Sequence, residues 1–118
     1  MQEPPSSRED TLAARWQTQA SGEVRWYSPI DGGRQQPWTG EYAWGETWLP
    51  EFPCHWDIQL RFERGAAVHR DWHRAEADFL DRDVVRWLLR EGADLLIFEG
   101  GKIVGQFHVD KVEPLLPA

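Results

Sequence analysis

The sequence predicts a single mainly β domain with antiparallel strands, a short N-terminal helix and one short helix before the last hairpin. Three observations carry that prediction. Trp56, Ile58, Leu60 and Phe62 alternate with Asp57, Gln59, Arg61 and Glu63, the period-two signature of a strand with one buried face. DLLIFE and KIVGQFHVDKV flank EGGK, a glycine-containing turn of hairpin length. Helical spacing occurs in only two stretches, both short. A chain of 118 residues is the size of one domain with one hydrophobic core.

Taken in order, residues 1–6 (MQEPPS) read as a disordered leader and residues 7–22 as the N-terminal helix. Ser7 is placed to cap it, Glu9 and Asp10 suit the positive first turn, and Gly22 supplies a stop. Leu12, Ala13, Trp16 and Ala20 share one face, a stripe that serves either to dock the helix on the body or to bind a partner. The β domain then occupies residues 23–113. VRWYSPI is rich in strand formers, ends at Pro29 and runs into DGGR, whose glycine pair permits a tight turn. Trp38, Tyr42, Trp44 and Trp48 crowd a stretch punctuated by glycine and proline. They have two readings, as core or end-plug aromatics and as a contact surface.

After the strand around Trp56–Glu63, RGAAVHRD makes a connection. A strand from Trp72 to Leu80 follows, with Ala75, Ala77 and Phe79 opposite in face to Arg74, Glu76 and Asp78. DRDVVRWLLREG reads as the second helix, with Asp81 or Asp83 as cap, Val84, Val85, Leu88 and Leu89 on one face, and Gly92 at the end. The hairpin follows. Residues 114–118, PLLPA, read as an irregular tail because two prolines remove two backbone donors.

Charge and cysteine content narrow the partners. Thirteen basic against twenty acidic side chains leave a formal charge of −7, which opposes binding to a polyanion, since such binding depends on cations that displace counterions from phosphates. A nucleic-acid partner is therefore not expected. Cys54 is the single cysteine and has no internal disulfide partner, so nothing points to an oxidising compartment. The N-terminus has neither the basic nor the apolar region of a signal peptide, and no apolar run approaches the roughly 18 residues of a membrane helix. The expectation is a cytoplasmic protein with no membrane contact.

VRWYSPIDGGRQQPWTGEYAW resembles the segment that opens the third domain of elongation factor Tu, through Asp31 to Arg34, Pro37, Trp38, Gly40 and Tyr42. LLREGADLLIFEGGKIVGQFHVDKV resembles the closing hairpin of that domain, through Glu99, Gly100, Gly101, Lys102, Val104 and Gly105. The two motifs occur in the family's order and bracket most of residues 24 to 112. The resemblance implies a six-stranded antiparallel barrel, a shape with no unpaired edge. It also implies a noncatalytic domain, which in the family helps hold aminoacyl-tRNA and contacts the GTPase domain and the exchange factor. This chain has no GxxxxGK[ST] phosphate loop, and AWGE stands where the family carries Arg-Pro-Gln-Phe. Arg34 and Lys102 match positions that are basic in the family.

Candidate chemistry is sparse. Cys54-His55 and His69-x-x-x-His73 supply metal-ligating and nucleophilic residue types, but the two histidines share a face only on a helix and a Cys-His dipeptide is not a recurrent ligand pair. Asp78, Asp81, Asp83, Glu91 and Asp94 read as caps and solvated strand faces. The expected function is a noncatalytic binding module without cofactor or metal, engaging another protein through the barrel surface. Arg34, Trp38, Tyr42, Trp44, Trp48 and Lys102 form its candidate contact surface. The alternatives are a translation-associated RNA binder, a small metal- or cysteine-dependent enzyme, and an immunity protein that neutralises a basic toxin by charge-steered association.

Overall fold

The computed structural model describes residues 7–28, 30, 33, 41–49, 52–62 and 72–113. Eight elements follow one another: α1 (Ser7–Arg15), β1 (Ala20–Trp26), β2 (Tyr42–Leu49), β3 (Phe52–Phe62), β4 (His73–Phe79), α2 (Arg82–Val85), β5 (Asp94–Glu99) and β6 (Lys102–Val112). The six strands close into the expected antiparallel barrel, in the order β1-β4-β3-β2-β5-β6. Closure gives every strand a neighbour on both sides, with the shortest seam between β2 and β5, where Glu46 pairs with Phe98 and Thr47 with Ile97.

Period-two alternation decides what lies inside. Ala20, Val24 and Trp26 of β1, Ala43 and Leu49 of β2, and Ile58, Leu60 and Phe62 of β3 point inward. They meet Ala75, Ala77 and Phe79 of β4, Leu95 and Ile97 of β5, and Phe107 and Val109 of β6. Val85, Leu88 and Leu89 join the same core. Thr47 is also inward and fully buried, and its hydroxyl donates to the Leu96 carbonyl at 2.7 Å, which satisfies a group that is costly to bury unpaired.

The β5–β6 hairpin turns on Gly100 and Gly101 at φ 59° and 79°, the two positive angles that a two-residue turn matched to strand twist requires. Gly22 answers a different need. The β1–β6 register shifts between Ser21 and Gly22, and a Cβ on Gly22 would lie 1.8 Å from the His108 carbonyl oxygen. Two backbones approach there too closely for any side chain.

Several expectations are corrected. The first helix ends at Arg15 rather than residue 22, and Gly22 is a strand residue rather than a stop. Trp16 and Ala20 fit helical spacing, yet the chain leaves the helix because distant groups capture its backbone. The Gln17 N–H donates to Asp78 Oδ2 at 3.1 Å and the Gln19 N–H donates to the Ala77 carbonyl at 2.8 Å. The barrel accordingly starts at Ala20, not at residue 23. The second helix spans only Arg82–Val85, and Val84, expected on its buried face, is 47% exposed. Leu88 and Leu89 reach the core from the turns that follow. The aromatic stretch that holds Tyr42, Trp44 and Trp48 contains strand β2. The leader, the tail, the DGGR turn apart from Gly33, and the RGAAVHRD connection lie outside the described residues.

Candidate functional site

The outer face of β2 collects the aromatic residues that the sequence places close together. Ala43, Thr47 and Leu49 point inward, so Tyr42, Trp44, Glu46 and Trp48 form one outward row. Their partners on β3 are Arg61, Gln59, Asp57 and His55 respectively. The row has two halves with different surroundings.

The first half is covered. Between α1 and β1 the chain lays Trp16 against Tyr42, ring centroids 5.7 Å apart at 62°, an edge-to-face contact. Arg61 stacks over Trp16 at 4.8 Å from the ring centroid and is ion-paired with Glu76. Tyr42 is thus buried without belonging to the barrel core. Arg8 of α1 lies over Trp44 at 4.4 Å, and a cleft of about 190 Å³ between α1 and the barrel is lined by Arg8, Arg15, Asp57 and Asp78 among others.

Asp78 secures this arrangement. Its side chain is 5% exposed and accepts from Arg82 Nε at 2.8 Å and Arg82 Nη2 at 2.7 Å, and from the Gln17 and Phe79 N–H groups. Arg82 also donates to the Arg15 carbonyl at the end of α1. One carboxylate therefore ties the helix exit, β4 and α2 together, and its hydrogen bond raises the pKa of the already basic Arg82.

The second half is bare. Trp48 is 47% exposed. Its ring lies 5.3 Å from His55 and 6.2 Å from Phe98, and His55 stacks on Phe98 at 5.6 Å and 17°. Leu96 of β5 and Ile103 of β6, next to Phe98 on the same hairpin, are also exposed. Acidic groups flank this half. Glu46 Oε1 is 3.5 Å from His55 Nδ1, and Glu46 faces Asp57 directly across the β2–β3 ladder.

Of the six expected contact residues, Arg34 and Trp38 lie outside the described residues. Tyr42 and Trp44 are in the covered half. Lys102 is exposed beside the hairpin turn, whose tip points toward the Tyr42 end of β2 and away from Trp48. Trp48 alone of the described four is in the bare patch. His55, Phe98 and Glu46 complete it and were not expected there. The strand alternation of residues 42–49 points to Glu46, but the gathering of His55 and Phe98 depends on cross-strand register.

The catalytic readings find no assembled site in the described residues. His55 points outward and pairs with Glu46, whereas His73 begins β4 beyond the Ala75–Phe62 pair, at the other end of β3. Roughly 20 Å or more separates them at about 3.3 Å per strand residue. His69 and the Cys54 side chain lie outside the described set, and no group of three metal-ligating side chains occurs within it.

A separate charged group occupies the outer face where β1, β5 and β6 meet. His108 Nδ1 is 2.7 Å from Asp94 Oδ1, and Nε2 is 3.6 Å from Asp110, which also pairs with Arg74. The Asp94 hydrogen bond holds the His108 pKa above its ordinary value, and the same bond lowers that of Asp94. No described helix is long and apolar enough to cross a membrane. In comparisons with known proteins, no family model and no curated protein matches this chain.

Proposed function

We propose that this chain is a noncatalytic cytoplasmic binding module that engages another protein through the outer face of its barrel, at the patch formed by Trp48, His55 and Phe98. The observation that carries the reading is the exposure of a packed aromatic cluster on a barrel whose remaining outer aromatics in the same row are covered by its own chain. Aromatic residues in a partly dry, clustered setting are the commonest energetic anchors of protein interfaces. A closed six-stranded barrel ending in a glycine-pair hairpin is also what kinship with the third domain of elongation factor Tu implies, and it supports that kinship as part of the proposal. A charge of −7 weighs against inheritance of that family's RNA contacts.

The test is recovery of tagged protein from its native host, with and without ribonuclease, in parallel with Trp48→Ala. The reading expects a stoichiometric protein that survives ribonuclease and is lost from the variant. Recovery of tRNA or ribosomal material that disappears with ribonuclease would instead favour a translation-associated RNA binder. A protein retained equally by the variant would move the contact surface elsewhere.

A further inference from the structure

We infer that the Trp48 patch receives an arginine side chain of the partner protein, its guanidinium stacked on the Trp48 ring and hydrogen-bonded to Glu46. This rests on the proposed protein-binding role and adds the chemistry of the contact. The first support is the molecule's own habit. Arg8 covers Trp44 at 4.4 Å and Arg61 covers Trp16 at 4.8 Å, so two tryptophans associated with this outer row are each capped by an arginine of the same chain. Trp48 is the next aromatic in that row, and among the described residues no cation lies over it.

The second support is electrostatic. Glu46 stands directly opposite Asp57, like charges facing each other across a ladder are unfavourable, and the one described group beside Glu46 is the His55 ring at 3.5 Å. A cation arriving at Glu46 relieves that repulsion and finds an aromatic face beside it. The net charge of −7 attracts a basic partner at long range, which favours such a cation over an acidic or neutral one. Arginine fits better than lysine because a planar guanidinium stacks on a flat ring while presenting a fork of donors to a carboxylate.

Fluorescence anisotropy with labelled octapeptides of arginine, lysine and citrulline tests the inference at low salt. The arginine peptide is expected to bind most tightly and the citrulline peptide not at all. Trp48→Ala is expected to weaken the arginine peptide by about tenfold. Glu46→Gln weakens it several-fold, while Trp87→Ala, which removes an exposed tryptophan elsewhere, leaves it unchanged. Thermal melts establish that each variant is folded, and Glu46→Lys, which reverses the charge and keeps the ring, gives a second route to the same loss.

Equal binding by wild type and Trp48→Ala would reduce the attraction to diffuse charge and overturn the inference, as would failure of the arginine peptide to bind. A Trp48-dependent dimer in analytical ultracentrifugation, or a Trp48-dependent shift of RNA, would overturn it in favour of a second copy or a nucleic acid. The two proposals fail separately. A native partner lost from Trp48→Ala but not displaced by the arginine peptide leaves the binding module standing and removes the arginine. A partner retained by Trp48→Ala removes the module's site itself.

Discussion

The two halves of the outer row on β2 carry the same kind of residue in opposite surroundings. Tyr42 and Trp44 are roofed by Trp16 and Arg8, from α1 and the segment that follows it, and Arg61 reinforces the roof. Trp48, a few positions along the same strand face, has among the described residues the ring neighbours His55 and Phe98 of its own sheet, and nearly half of its surface is open. Aromatic identity therefore does not decide whether an outer residue stabilises the fold or remains available to a partner. What decides it is whether the chain has a second layer at that point, and among the described residues that layer covers Tyr42 and Trp44 and leaves Trp48 half exposed.

The largest expected effect comes from breaking the covered half at its anchor. Asp78→Ala leaves Arg82 without its partner and the Gln17 N–H without its acceptor, and removing one member of such a pair costs about 3 kcal/mol. Urea denaturation should register that loss, and limited proteolysis should cut α1 faster than in the wild type. A loss below about 1 kcal/mol with unchanged cleavage would show that α1 is held by something else.

Removing the roof is expected to do less. Trp16→Ala deletes an edge-to-face pair and a cation–π contact, for about 1–2 kcal/mol of stability, and leaves Tyr42 open to solvent. Tyrosine nitration followed by mass spectrometry checks the second part. Tyr42 should become reactive in the variant, and continued protection would mean that another layer covers it.

Trp48→Ala sharpens the contrast from the other side. A half-exposed side chain with ring contacts to His55 and Phe98 should contribute up to about 1 kcal/mol, less than Trp16 does. A clearly larger loss in the same urea assay would make Trp48 a structural residue like Tyr42.

The smallest effect is on the Asp94–His108 pair, which belongs to neither half. Because His108 titrates above its ordinary 6.5, its contribution is complete below that pH and disappears as pH rises through the folded-state value. Because Asp94 titrates below its ordinary 3.8, its contribution is present above that pH and disappears as pH falls through the lowered value. Asp94→Asn should therefore melt slightly below the wild type near about pH 5.5, with the gap closing near about pH 9. A gap that widens with pH would contradict the assignment of the pair.

The sequence made local features legible and left distant ones hidden. β3 was readable because Ile58, Leu60 and Phe62 keep strict alternation, and the last hairpin because Gly100 and Gly101 are the residues its turn demands. Helical periodicity overruns the end of α1 because the Asp78 carboxylate that takes the Gln17 N–H lies 61 residues away. Gly22 looked like a stop for the same reason, since the His108 carbonyl that excludes its Cβ comes from the last strand. β2 is hidden in the sequence because its aromatics fill the outer positions while small Ala43 and Gly45 occupy inner ones, so its pattern of bulk is the reverse of an ordinary half-buried strand. Of the candidate site, Trp48 was found by residue type, whereas His55 and Phe98 are brought to it by the pairing of β3 and β5 with β2.

The most direct test of the proposed division between a structural half and a partner-binding half is paired measurement on Trp16→Ala and Trp48→Ala, with urea stability and recovery of the native partner determined for both. The account predicts that Trp16→Ala loses stability and keeps the partner, while Trp48→Ala loses less stability and loses the partner. Equal losses of both properties in the two variants would contradict it.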